Sequence, residues 1–215
     1  MRGEETVDAA GILETIETER RRTQAALAPD ARLLYGVWGA AWIVGFGAAF
    51  LACTPWERPI IPLAVGLSVA GAALVVAIVI SAVHAARRGS AMRGPSNVQG
   101  AIFGNAFPVA FLLVGALGFR LATSGVAAET MLAYWVVAAC LVIGGLGIAG
   151  AAMWNDRSQL VFSAWVLWIG FVAAWIPGSF VLLAGVAGGL GFLVLALLAA
   201  LRPQLVSGPI ASRHG

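Results

Sequence analysis

The sequence predicts an all-α fold: a polytopic integral membrane protein with six transmembrane helices and an amphipathic N-terminal helix in the cytoplasm. Three observations carry that prediction. Only 11% of the 215 residues are charged and 60% are hydrophobic, whereas a water-soluble domain carries about 25% charge to cover its surface. Six apolar stretches approach or exceed the roughly 20 residues that a bilayer core requires. None of the six contains Asp, Glu, Arg or Lys, the side chains that hydrocarbon solvates worst.

Residues 1–30 form a polar leader without the apolar core of a signal peptide. Its pattern predicts a cytoplasmic helix from Asp8 to Leu27. Glu14, Glu17 and Glu19 lead and Arg20, Arg21 and Arg22 trail, as the helix macrodipole favours. Glu17 stands one turn before Arg21, at a spacing that allows an ion pair. Ile12, Leu13 and Ile16 make a thin apolar stripe and are the candidate partner-binding residues. Pro29 ends this helix, and Asp30 is placed to cap the next one.

Residues 31–202 make up the membrane domain. Its predicted spans are Leu33–Cys53, Ile60–Ala86, Val98–Phe119, Thr130–Trp154, Ser158–Ile176 and Ser179–Leu201. Turn and charge signals separate them: Thr54 to Pro59, Arg87 to Asn97, Arg120 to Glu129, Asn155-Asp156-Arg157 and Pro177-Gly178. Arg120 and Glu129 are spaced to pair across their loop. Residues 203–215 form a cytoplasmic tail. The second, fourth and sixth spans are rich in Gly and Ala and each ends at an Arg, while the other three carry more bulky aromatics. That alternation points to three consecutive hairpins.

The orientation follows from arginine. Arg20, Arg21, Arg22, Arg32, Arg87, Arg88, Arg93, Arg157, Arg202 and Arg213 flank the spans on one side, and only Arg58 and Arg120 on the other. The positive-inside rule places both termini in the cytoplasm. All 13 basic residues are Arg and none is Lys. With the abundance of Ala and Gly, this indicates a GC-rich coding sequence and hence a bacterial plasma membrane.

The chemistry-bearing residues are few. His84 is the one titratable side chain within a predicted span, and it lies near an interface. Coupled transport through buried carboxylates and acidic metal or phosphate chemistry are thereby disfavoured. Ser163 and Ser179 have no neighbouring base in sequence to activate them. Cys53 and Cys140 are far apart, with no CxxC spacing and no nearby His, so neither a metal site nor a redox pair is expected. No Walker A motif is present, and the scattered charge does not make a nucleic-acid footprint.

The candidate ligand or substrate-path residues lie on three helices. In the third span Gly100, Gly104, Asn105 and Pro108 share a face. Pro108 has no N–H and leaves the Gly104 carbonyl without its helical donor, beside the Asn105 amide. In the first span Tyr35, Trp38, Trp42 and Phe46 share a face, and in the fifth Trp165, Trp168, Phe171 and Trp175 do so. Trp42, Trp165 and Trp168 fall too deep for an interfacial belt and are placed to line a cavity for an apolar or cationic ligand. Gly100-xxx-Gly104 and Gly185-xxx-Gly189 permit close helix approach.

These features lead to the expectation of a transport-associated membrane protein, either a small permease-like protein or a membrane subunit working with a cytoplasmic partner. The rival class is a non-transporting scaffold or regulatory subunit. An enzyme ranks third, and neither a cofactor nor a metal is expected. The expected partners are the bilayer, a membrane or cytoplasmic protein, and a further copy of the chain. A cavity reaching mid-membrane would favour transport. A solid bundle with a bare lateral face would favour the scaffold.

Overall fold

A computed structural model describes residues 30–53, 59–89 and 95–206, together with Gly11, Ile12, Thr15, Thr18, Gly208 and Ile210. The described secondary structure is helical. The elements are α1 (Ala31–Ala52), α2 (Leu63–Gly89), α3 (Pro95–Thr123), α4 (Ala128–Trp154), α5 (Arg157–Ala173), a 3-10 turn (Gly178–Phe180), α6 (Val181–Leu201) and a short α7 (Pro203–Val206). Among the described residues, five helices are long and apolar enough to cross a membrane: α1, α2, α3, α4 and the run Gly178–Leu201. They mark the chain as a membrane protein. The apolar α5 is shorter, at 17 residues.

Two helix starts, those of α1 and α5, follow side-chain capping chemistry. The Asp30 carboxylate accepts from the backbone N–H of Arg32 (3.0 Å) and Leu33 (3.4 Å) and opens α1. The Arg32 guanidinium donates to the same carboxylate. That bond holds the Asp30 carboxyl below its usual 3.8, against a smaller opposing effect of burial. A lowered carboxylate pKa stabilises the fold above the unfolded value and is lost as pH falls through the folded one. The cap is therefore intact at neutral pH and fails only in strong acid. Asp156 repeats the device for α5, accepting from Ser158 N at 2.8 Å and Gln159 N at 3.5 Å.

Several boundaries depart from the sequence expectation, three of them for a plain local reason. The second helix begins at Leu63, because Pro62 lies outside it and caps it through its carbonyl, which accepts from Val65 and Gly66. Pro62 is thus not part of a first helical turn. The fifth helix ends at Ala173, three residues early, since Pro177 disfavours the α conformation in the residue before it and Gly178 turns the chain at φ +61°. The third helix runs on to Thr123. There Arg120 donates to Ser124 at 3.2 Å and does not pair with Glu129. Asn155 ends α4 in the left-handed region at φ 52°, a conformation Asn tolerates better than most residues.

The centre of the bundle is α6, with 44% of its span buried, against 6% for α3. The most extensive interfaces are α1 with α6, α4 with α5, and α1 with α2, followed by α3 with α4 and α5 with α6. Helix α1 pairs with α2, α3 with α4 and α5 with α6, but α1, α4, α5 and α6 form the packed body. Helices α2 and α3 lie outside it, against α1 and α4.

Glycine sets the helix spacings. A Cβ built on Gly189 would stand 2.8 Å from the Gly39 carbonyl oxygen, and one on Gly39 2.9 Å from that of Gly189. The two backbones of α1 and α6 therefore touch, which small residues permit at membrane helix crossings. On α4, Gly144 and Gly147 face Leu167 and Ser163 of α5, and Gly170 of α5 returns the arrangement against Cys140.

The start of α1, the last turns of α2, the α4–α5 turn and the residues following α7 meet at one end of the bundle. Asp30 N donates to His84 Nε2 at 3.0 Å, tying the start of α1 to the last turns of α2. Tyr35 Oη donates to Ser158 Oγ at 3.2 Å. Arg157 N donates to the Gly208 carbonyl and Ile210 N to Asn155 Oδ1, each at 3.0 Å. The chain after α7 is thereby folded back onto the α4–α5 turn, with Val206 buried.

Leu13, Ile16 and most of the expected Asp8–Leu27 helix lie outside the described residues. Ile12 is helical and exposed, and Thr15 Oγ1 donates to the Gly11 carbonyl at 2.8 Å, a helical spacing.

Candidate functional site

The sequence-predicted site residues fall into three places. Trp42 and Trp165 come together around Gly188 of α6. A Cβ on Gly188 would stand 2.7 Å from the Trp42 ring, and Trp165 Nε1 donates to the Gly188 carbonyl at 3.3 Å. Trp42 is only 6% exposed. It belongs to a column of rings: Tyr35 stacks on Phe162 (5.3 Å between centroids), Phe162 on Phe192 (4.7 Å), Phe192 meets Trp42 (4.9 Å), and Trp42 meets Phe46 edge-on (5.2 Å). Val136, Cys140, Val166 and Ile169 pack around it. The tryptophans that sequence placed at depth are here filling the interior, as aromatic pairs at these separations do in protein cores.

Trp168 lies elsewhere. It is 57% exposed on the outer face of α5, stacked on Phe171 at 5.7 Å, and Phe171 meets Trp175 edge-on at 6.5 Å. The three form a lateral aromatic ladder climbing to the end of α5. Trp38 packs against the core cluster that contains Trp42 and donates through Nε1 to Ser81 Oγ of α2 at 3.1 Å.

The third place is α3, which holds Gly104, Asn105 and Pro108. One face of this helix engages α4. Phe103 meets Trp154 edge-on at 4.8 Å, Tyr134 Oη donates to the Val114 carbonyl, and Gly118 accommodates the rings of Tyr134 and Trp135. The opposite face is bare. Val98, Ala101, Ile102, Asn105, Ala106 and Val109 recur at helical spacing along it and line a shallow, open groove on this one helix. Nothing lies within 4 Å of where a Cβ would stand on Gly100 or Gly104. The helix continues through Pro108 without ending.

Asn105 is exposed in this groove. One of its amide hydrogens goes to the Ala101 carbonyl of its own helix at 2.8 Å. Among the described residues its carbonyl oxygen has no partner. The site is thus an apolar helix face with one amide in it, free of charge. Chemically it can seat an apolar surface and exchange hydrogen bonds with one polar group.

No family model, curated protein or solved structure matches the chain. The functional reading therefore rests on geometry alone.

Two polar features were not foreseen from sequence. The chain Tyr35–Ser158–Asp156, with Ser158 Oγ donating to Asp156 at 2.9 Å, links the start of α1 to the start of α5. Its signal is the Asp-Arg-Ser run at positions 156–158, where Asp156 stands in the predicted turn and Ser158 opens the fifth predicted span. Ser163 and Ser179 behave differently from each other. Ser163 donates back to the Gln159 carbonyl at 2.6 Å, a common resolution for a helical serine. The buried Ser179 Oγ has no hydrogen-bond partner among the described residues.

Proposed function

We propose that this protein is a six-span plasma-membrane protein that works through its lateral helix faces, as a non-transporting scaffold or regulatory subunit of a membrane complex. The observation that carries this reading is the contrast between the body and its flanks. The interior of α1, α4, α5 and α6 is filled by the ring column and by glycine contacts between backbones. Meanwhile α3 presents a bare face with an amide whose carbonyl oxygen has no partner among the described residues. A conduit needs the opposite distribution, with polar groups and space inside. The sixth span in this reading is α5. Both termini face the cytoplasm, on the Arg-rich side, and the Lys-free composition speaks for a bacterial source. A permease-like protein is the second reading, and the groove beside Asn105 and Pro108 is the observation that favours it.

Cysteine accessibility separates the two. On a background lacking Cys53 and Cys140, Val166→Cys and Ala173→Cys place thiols at positions with no exposed surface. Neither is expected to react with a membrane-impermeant thiol reagent from either side. Ser124→Cys, between α3 and α4, is expected to react on intact cells, and Gly208→Cys only after the cells are opened. Reaction at Val166→Cys and Ala173→Cys would reveal a water-filled path and overturn the scaffold reading. Reaction of Gly208→Cys on intact cells would reverse the orientation.

A further inference from the structure

We propose that the α3 groove is the contact face of a homodimer, in which Asn105 of one copy hydrogen-bonds Asn105 of the other across a twofold axis normal to the membrane. The proposal rests on the lateral-face reading above and names the partner for that face.

The argument starts from what hydrocarbon does to an amide. Asn105 lies seven residues inside the span that begins at Val98, about 10 Å along the helix at 1.5 Å per residue. At that depth there is no water to bond the Asn105 carbonyl or its second N–H, and lipid tails offer neither donor nor acceptor. The α4 interface cannot supply a partner, because it occupies the opposite side of α3, through Phe103, Val114 and Gly118. The groove therefore calls for an occupant that brings a donor and an acceptor to one depth.

A second copy meets that requirement by symmetry. An amide carries both a donor and an acceptor, so it is complementary to itself. A twofold axis along the membrane normal brings Asn105 opposite Asn105 at equal depth without any further adjustment. The surrounding sequence suits a helix-to-helix seam. Val98, Asn105 and Leu112 are spaced by seven, with Ala101, Ile102 and Val109 between them, and a single Asn at such a position specifies register and oligomeric state. Ala101 and Ala106 keep the seam shallow enough for two backbones to approach, as small residues do in membrane dimers.

The test uses the full chain. On the background lacking Cys53 and Cys140, Ile102→Cys and Val109→Cys are oxidised with copper phenanthroline in isolated membranes. Both are expected to give covalent dimers. Leu141→Cys, equally exposed but on α4, is expected to give none. In detergent-corrected light scattering, the parent chain with its native cysteines is expected to be a dimer. Asn105→Gln should retain the dimer, and Asn105→Leu should weaken it at least tenfold while keeping the same thermal midpoint for the monomer. A monomeric parent, an Asn105→Leu dimer as tight as the parent, or cross-linking at Leu141→Cys to the same extent would overturn the proposal. So would a photoreactive group at Ile102 that joins the chain to a different protein, although the lateral-face reading would survive that result. Reagent access at Val166→Cys and Ala173→Cys would instead remove the lateral-face reading and leave the dimer measurement standing on its own.

Discussion

Gly189→Val is expected to abolish the folded bundle, with little protein recovered from membranes in a monodisperse form. A Cβ at Gly189 points at the Gly39 carbonyl at 2.8 Å, at Ile43 Cγ1 at 2.9 Å and at the Ile43 backbone nitrogen at 3.0 Å. Two of these three obstacles are main chain, so no rotamer change relieves them. The helices α1 and α6 must separate, and α6 is the element on which the rest of the body packs. Overpacking in a well-packed core destabilises by about 1–3 kcal/mol when side chains can adjust. Here the backbone must move, which puts the cost at about 3 kcal/mol or more. Gly104→Val on α3 is the internal control. Nothing lies within 4 Å of its added Cβ, and it is expected to be recovered at parental yield. Retention of fluorescence-detected size-exclusion profiles at graded temperatures measures both. Equal thermal profiles for the two variants would refute the close α1–α6 crossing.

Phe192→Ala is expected to be the most damaging truncation of a single side chain. Phe192 is 1% exposed and touches both Phe162 and Trp42, so it joins the two halves of the ring column. In water, such a truncation costs about 3–5 kcal/mol, part of which is the transfer of apolar surface to solvent. In a bilayer that part largely vanishes, because separated helices remain in hydrocarbon. What is left is the cavity and its lost dispersion contacts. At about 24 cal/mol per Å³, a cavity on the order of 100 Å³ costs about 2.4 kcal/mol. The expected result is a clear fall in thermal midpoint with insertion unaffected, and partial recovery with Phe192→Leu. Trp168→Ala should leave the midpoint within error, since its ring lies outside the body. A larger effect at Trp168 than at Phe192 would invert the assignment of interior and exterior.

The existence of the helices was legible because each apolar run is unbroken by charge and bounded by turn residues. Their partners were not. Gly100-xxx-Gly104 and Gly185-xxx-Gly189 carry the same signal, yet only Gly185 and Gly189 meet another helix, packing on Phe46 and Gly39. When every face of a helix is apolar, hydrophobic periodicity cannot say which face turns inward. The same ambiguity divides Trp165 from Trp168. Three residues apart on a short helix, they read as one aromatic stripe, but the first donates to Gly188 and the second points away from the body. Asn105 was legible as an amide inside an apolar run. That its groove faces away from α4 depended on Phe103 and Gly118, whose role only their neighbours Trp154 and Trp135 reveal. The Pro62 and Ala173 boundaries were missed by about one turn because a proline signals a break without stating on which side of it the helix begins.

The brevity of α5 has a consequence for the lipid around the protein. Its 17 residues rise about 25 Å, while a typical hydrocarbon core is about 30 Å thick. In the six-span reading proposed above, a bilayer on the flank that carries Trp168, Phe171 and Trp175 thins to meet this helix. Such hydrophobic mismatch costs fractions of a kcal/mol per Å. In that reading the protein is matched to short acyl chains on one side and to ordinary ones beside α2 and α4, whose spans are 25 and 27 residues. A chain with one shallow flank tilts the lipid around it unevenly, and in a membrane of mixed thickness it will collect at the boundary between thin and thick regions.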